Sequence, residues 1–107
     1  MIISFEDFQK LDIRVAEIIA ARELPGADKL YVLTISVGEK NKQIVAGIRS
    51  SYGIDELKGK KIIVIDNLEP AVIRGEESSG MLLAVCSESG PVLLVPDREV
   101  TPGSKVS

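Results

Sequence analysis

Within the stretch 67–84, NLEPAVIRGEESSGMLLA, stand Asn67, Arg74, Ser78 and Met81. Asn67 offers both a donor and acceptor lone pairs, which suits a base edge or a sugar hydroxyl. Arg74 can clamp a phosphate or stack on a base. Ser78 can donate to either, and Met81 offers a soft platform for an unstacked base. Upstream, Lys29 in GADKL and Arg49 after QIVAGI supply two more cations able to meet phosphate. Each residue also has a structural reading. Asn67 and Ser78 suit turns or caps, Gly75 and Gly80 suit positive φ, Met81 suits a core, and Lys29 suits a turn beside Asp28. The case for recognition rests on their co-occurrence on one long connection beside a basic segment.

Other chemistries are poorly provided for. The chain has no histidine, which removes Ser-His-Asp and Cys-His catalysis and the commonest transition-metal ligand. It contains no GxxxxGK[ST], GxGxxG, CxxC or HExxH. Glu76-Glu77 and Asp55-Glu56 are adjacent acids of the kind usually left solvated, and Ser78 and Ser79 lack a base. The lone Cys86 lies in the apolar run MLLAVC and reads as a reduced core residue. A binding module is expected, with no cofactor and no metal.

The 107 residues fit one domain over 1–107, and 45% hydrophobic with 27% charged residues suits a modest globular core. A domain this small gains from pairing with a second copy. Formal net charge is −3 and the pI about 5.0, unlike a non-specific nucleic-acid coater. Yet residues 40–75 hold seven basic against four acidic residues, +3 for the segment and −6 elsewhere. Four aromatic residues, Phe5, Phe8, Tyr31 and Tyr52, are too few to stack an extended single strand, so a reader of shape fits better. No stretch is long and apolar enough to span a membrane, and MIISFEDF is too acidic for a signal peptide, so the cytoplasm is the expected compartment.

The elements that must position these residues follow from periodicity. SFEDFQKL opens with the Ser4-Asp7 spacing of a capping box and predicts a helical turn with Phe5 and Phe8 against the body. DIRVAEIIAARE predicts a long strand broken by Pro25-Gly26, and LYVLTISVG alternates clearly. EKNK predicts a turn, QIVAGI a third strand, SSYGIDELKG a short helical element closed by Gly59, and KKIIVIDNL a buried fourth strand. MLLAVCS and VLLVP follow, and PDREVTPGSKVS reads as a turn-rich tail tied down only by Val100 and Val106. The layout is all-β: five or six strands with a short helix between the third and fourth, as in a five-stranded Greek-key barrel, the OB-fold. Periodicity alone leaves other small barrels open. In an OB-fold, LPGADK and LEPAVIRGEESSG would border the ligand face.

DFQKLDIRVAEI, PGADKLYVLTISVG, QIVAGIRSSY, LKGKKIIVIDNLEP and IRGEESSGMLLA occur in the order found in the tRNA-binding domain family. The chain resembles that family over roughly residues 5–106. Its members include the C-terminal extension of methionyl-tRNA synthetases, endothelial monocyte-activating polypeptide II, free-standing homodimeric tRNA-binding proteins and a related export chaperone. The resemblance implies an OB-fold that recognises tRNA by shape, with Lys29, Asn67, Arg74, Ser78 and Met81 as contacts and Arg49 beside them. It implies a homodimer, for which Ile2, Ile3, Phe5, Phe8, Val100 and Val106 are the available apolar residues, and a role free-standing or beside methionyl-tRNA synthetase. The family often has a lysine two residues before the RG arginine, where this chain has Val72. With Glu69, Glu76 and Glu77, that makes the loop less basic and favours, as the alternative, a chaperone binding peptides or unfolded proteins.

Overall fold

The computed structural model describes residues 1–107. After a short helix α1 (Phe5–Gln9), the chain forms β1 (Ile13–Glu23), β2 (Tyr31–Ser36) and β3 (Asn41–Ala46). A single 3₁₀ turn (Ile54–Glu56) precedes β4 (Lys61–Ile65), and then come six short strands. These are β5 (Ala71–Ile73), β6 (Glu76–Ser78), β7 (Met81–Leu82), β8 (Ala84–Ser87), β9 (Gly90–Leu93) and β10 (Lys105–Val106).

The main sheet runs β3-β2-β1-β4-β7 with every pair antiparallel. β1 is long enough to serve two partners, pairing β4 through Ile13–Glu17 and β2 through Glu17–Glu23. A bulge between Ile18 and Ala20 bends it from one to the other, which is how a flat ladder is turned into a barrel wall. The seam closes where the Ser79 amide donates to the Gln43 carbonyl, bringing the segment before β7 back onto β3. This is the OB-like barrel, with the expected helical element reduced to one 3₁₀ turn.

Alternation in β2 and β3 divides their side chains between two cores. Ile18, Leu33, Ile35, Ile44 and Ile62 fill the barrel, and Leu57 beneath the 3₁₀ turn plugs one end. Burying each such side chain is worth about 1.5–3 kcal/mol. The opposite parity carries Val32 and Val45, which meet Leu24 and Ala27 in a second small cluster, with Leu30 and Ile73 packed against it. Two loops are thereby fastened onto the outside of the β2–β3 wall.

Five expectations change. Within the stretch 67–80, residues 71–78 are a hairpin and not irregular loop: β5 pairs β6 through a two-residue turn at Arg74-Gly75. MLLAVCS is two strands, because the Leu83 amide still bonds Ile63 in the barrel while 84–87 leave it to pair with β9. Cys86 is therefore exposed, not in the core. The tail is also better anchored than its composition suggests: β10 pairs β1 (Ile13 with Val106, Arg14 with Lys105), and Gly103 and Ser104 bond the backbone of Val15. Ser4 does cap α1, accepting the Asp7 amide at 3.1 Å, but Phe5 is 69% exposed.

Candidate nucleic-acid interface

The Arg74-Gly75 turn has φ of +52° and +81°. Positive φ at both central residues is the type I′ pattern, whose twist matches the flanking strands and which favours Asn-Gly or Asp-Gly. An arginine in the left-handed region costs about 1–2 kcal/mol relative to ordinary backbone. Arg74 is the only non-glycine residue of the chain with positive φ. Its Nη1 donates to the Gly26 carbonyl at 3.3 Å, so the hairpin tip leans on the loop between β1 and β2.

That loop gathers two more of the expected residues. The Arg49 amide donates to the Lys29 carbonyl at 3.3 Å, and Arg49 Nη1 donates to the Ala27 carbonyl at 3.2 Å. Arg49 Nη2 pairs with Glu23 Oε2 at 2.9 Å, and its guanidinium lies 5.9 Å from the Tyr31 ring centroid. The Lys29 residue is exposed and its ammonium makes no hydrogen bond or ion pair; Arg74 has no carboxylate partner. Lys29, Arg49 and Arg74 thus surround residues 26–29, two of them with unneutralised charge.

The remaining expected residues sit elsewhere. Ser78 is buried, its Oγ donating to the Gly80 carbonyl at 3.2 Å and accepting the Val45 amide at 3.0 Å. It locks the hairpin to β3. Met81 is half-buried at the start of β7, opposite Ile65. Asn67 lies at the far end of β1, where Oδ1 accepts the Asp12 amide at 2.8 Å and Nδ2 donates to the Lys10 carbonyl at 2.7 Å. Beside it, hydrogen bonding from Arg14 (Nε to Oδ1, 2.7 Å) holds the Asp12 carboxyl below its ordinary pKa of 3.8.

The basic segment is not one patch. Lys42 is paired with Asp66 at 2.7 Å, and Lys61 is paired with Glu99 at 2.8 Å. The Glu99 hydrogen bond raises the Lys61 pKa. Sequence reasoning missed a clasp that crosses the β2–β3 face: Glu76 Oε1 accepts from Arg22 Nη2 at 2.7 Å and from Gln43 Nε2 at 3.3 Å. Gln43 Nε2 also reaches the Glu77 carbonyl at 2.9 Å. The only signal in the sequence is Arg22 at the end of a strand whose partner carries outward polar residues.

A family described as "Putative tRNA binding domain" matches residues 13–105, almost the whole barrel. The chain belongs to the tRNA-binding domain family. It is 46% identical over 104 residues to methionine--tRNA ligase of Pyrococcus horikoshii, covering 97% of this chain and 14% of the ligase. It is 48% identical over 105 residues to the enzyme of Caldanaerobacter subterraneus subsp. tengcongensis, covering 98% of this chain and 16% of that ligase. The chain therefore spans about a seventh of the length of the curated relatives it matches. Among solved structures it resembles the chaperone CsaA of Bacillus anthracis, with TM-score 0.91, 33% identity and 100% of both chains covered. It also resembles a MetRS-related protein of Pyrococcus horikoshii, with TM-score 0.93, 31% identity and 100% and 99% of the two chains covered.

Proposed function

We propose that the chain is a structure-specific tRNA-binding module that contacts RNA with Lys29, Arg49, Arg74 and Met81. Ser78 and Asn67 act by position, Ser78 through the hairpin and Asn67 through the start of β1. The observation that carries this reading is the meeting of Arg74, Lys29 and Arg49 around one loop, with Arg74 held at unfavourable φ and no carboxylate on it. Family membership supports the same reading. A shape reader needs few base contacts and several phosphate contacts at fixed spacing, and the small outer core that fastens both loops supplies that rigidity.

The module works in the cytoplasm as a homodimer or as a part or partner of methionyl-tRNA synthetase. Homodimerisation is supported by a cavity of about 320 Å³ lined by Phe5, Phe8, Leu11 and Val106, and by the exposure of Ile2, Ile3 and Val100. A link to the synthetase is supported by the identity to methionine--tRNA ligases. Light scattering of the wild type and of Phe5→Lys tests the dimer; a monomeric wild type rejects it.

The same exposed apolar surface and the likeness to CsaA favour a second reading, a chaperone for peptides or unfolded proteins. Titration with bulk tRNA at two salt concentrations, with Arg74→Ala alongside, separates the two. Salt-sensitive binding weakened by the substitution supports phosphate contacts, because neutralised phosphates release counterions. Absence of tRNA binding at low salt rejects the first reading and leaves the second.

A further inference from the structure

Arg22 pairs Val32 across β1 and β2, and Val32 pairs Val45 across β2 and β3. Directly opposed residues of an antiparallel pair point to the same face. Val32 and Val45 belong to the cluster outside the barrel, so the Arg22 side chain stands on the outer face beside the two loops. Gln43 lies two positions before Val45 on β3, on the same parity. Glu76, from the hairpin, reaches across to both and bonds each with the single oxygen Oε1.

The guanidinium of Arg22 is only partly used. Its Nη2 bonds Glu76, while Nε and Nη1 have no partner and the side chain is 52% exposed. Arg49 differs: two nitrogens bond within the protein, and the side chain is 27% exposed. Arg14 is likewise consumed by Asp12 and the Gly103 carbonyl. An exposed pair such as Arg22–Glu76 contributes little to stability, so exchanging its carboxylate for another anion costs little. Both two-donor forks of the guanidinium, Nε with Nη2 and Nη1 with Nη2, include Nη2, so a phosphate taken in fork geometry meets the carboxylate of Glu76 there.

We propose that Arg22 is a further RNA-contacting residue and that Glu76 is the carboxylate a backbone phosphate must compete with, setting the affinity of the site. This rests on the tRNA reading above. Glu76 thus lowers affinity for any polyanion that cannot present a phosphate over the β2–β3 face, while the hairpin stays fastened through Ser78 and Ile73.

The test is a double-mutant cycle on the full chain with tRNA: wild type, Glu76→Gln, Arg22→Gln and the double variant, each over a range of salt. Glutamine keeps the acceptor oxygen for Gln43, and thermal melts confirm that each variant is folded. The expected result is binding about three- to fivefold tighter for Glu76→Gln. Its log K against log salt becomes steeper by about 0.7–0.9, one extra phosphate. In the Arg22→Gln background the gain disappears, which a change of overall charge would not produce. If the wild type binds but Glu76→Gln gives no gain, or the gain survives without Arg22, this inference falls and the tRNA reading stands. If none of the four binds at low salt, both fall.

Discussion

The side chain of Asn67 spans the entry to β1, accepting the Asp12 amide at 2.8 Å while donating to the Lys10 carbonyl at 2.7 Å. One amide therefore satisfies two backbone groups between α1 and β1 that no ladder reaches. Asn67→Ala removes both bonds, and a loss of about 1–2 kcal/mol is expected in urea unfolding. Asn67→Asp keeps the acceptor and loses the donor, so it is expected to fall between. If Asn67→Ala leaves stability unchanged but abolishes tRNA binding, Asn67 is a direct contact.

At the hairpin tip, stability and binding are expected to part company. Arg74→Gly relieves the left-handed strain while adding chain entropy to the unfolded state, two effects of about 1 kcal/mol and opposite sign. The melting temperature should stay close to that of the wild type while tRNA affinity falls several-fold. Equal affinity for Arg74→Gly and wild type would remove Arg74 from the interface.

Ser78→Ala leaves the buried Val45 amide without an acceptor, which costs about 1–3 kcal/mol. The hairpin should loosen from β3, giving faster hydrogen exchange at Val45 and Ser79. Unchanged exchange would mean that the outer cluster and the bonds of Gln43 to Ser79, Glu76 and Glu77 hold the hairpin without Ser78.

Gly80 has φ of +113°, and a Cβ there would stand 2.8 Å from the Ile65 carbonyl oxygen. That oxygen is backbone of β4 beside its partner β7 and cannot swing aside. Gly80→Ala is expected to destabilise by more than about 2 kcal/mol in chemical unfolding, with strain and clash adding. A near-neutral effect would show that the chain around Gly80 can shift away from the Ile65 carbonyl.

Asp12 provides a pH signature. Its carboxyl titrates below 3.8 in the folded chain, chiefly through the Arg14 hydrogen bond, so the folded state favours the ionised form. The associated stability is complete above 3.8 and is lost as pH falls through the depressed folded value. Melts of wild type and Asp12→Asn should differ at neutral pH and converge only in acid below the depressed folded value. A difference that persists there would have to come from hydrogen bonding independent of ionisation.

Much of this architecture was legible in the sequence. The alternation of Leu33 and Ile35 against Val32 and Thr34 announces β2, and the order of the motifs points to the barrel and its family. The hairpin was hidden because Arg-Gly stands where type I′ turns carry Asn-Gly or Asp-Gly, so 67–80 read as loop. MLLAVC read as one buried strand because apolar runs do not reveal where a ladder changes partner, and so Cys86 was misplaced. Ser78 and Asn67 stay open between contact and turn or cap roles because their backbone partners lie 33 and 55 residues away in sequence. Arg22 and Glu76, 54 residues apart, meet only once both loops are folded onto the wall.

β10 and α1 meet at the Ile13 end of β1, while Lys29, Arg49 and Arg74 gather beyond its Glu23 end. Eleven residues of strand separate these poles. A polypeptide spliced to either terminus would leave from the pole facing away from the basic loops. The barrel is thus pre-adapted for grafting: one body can serve as a seventh of a large ligase or fill a short chain end to end, with no redesign of the surface at its other pole.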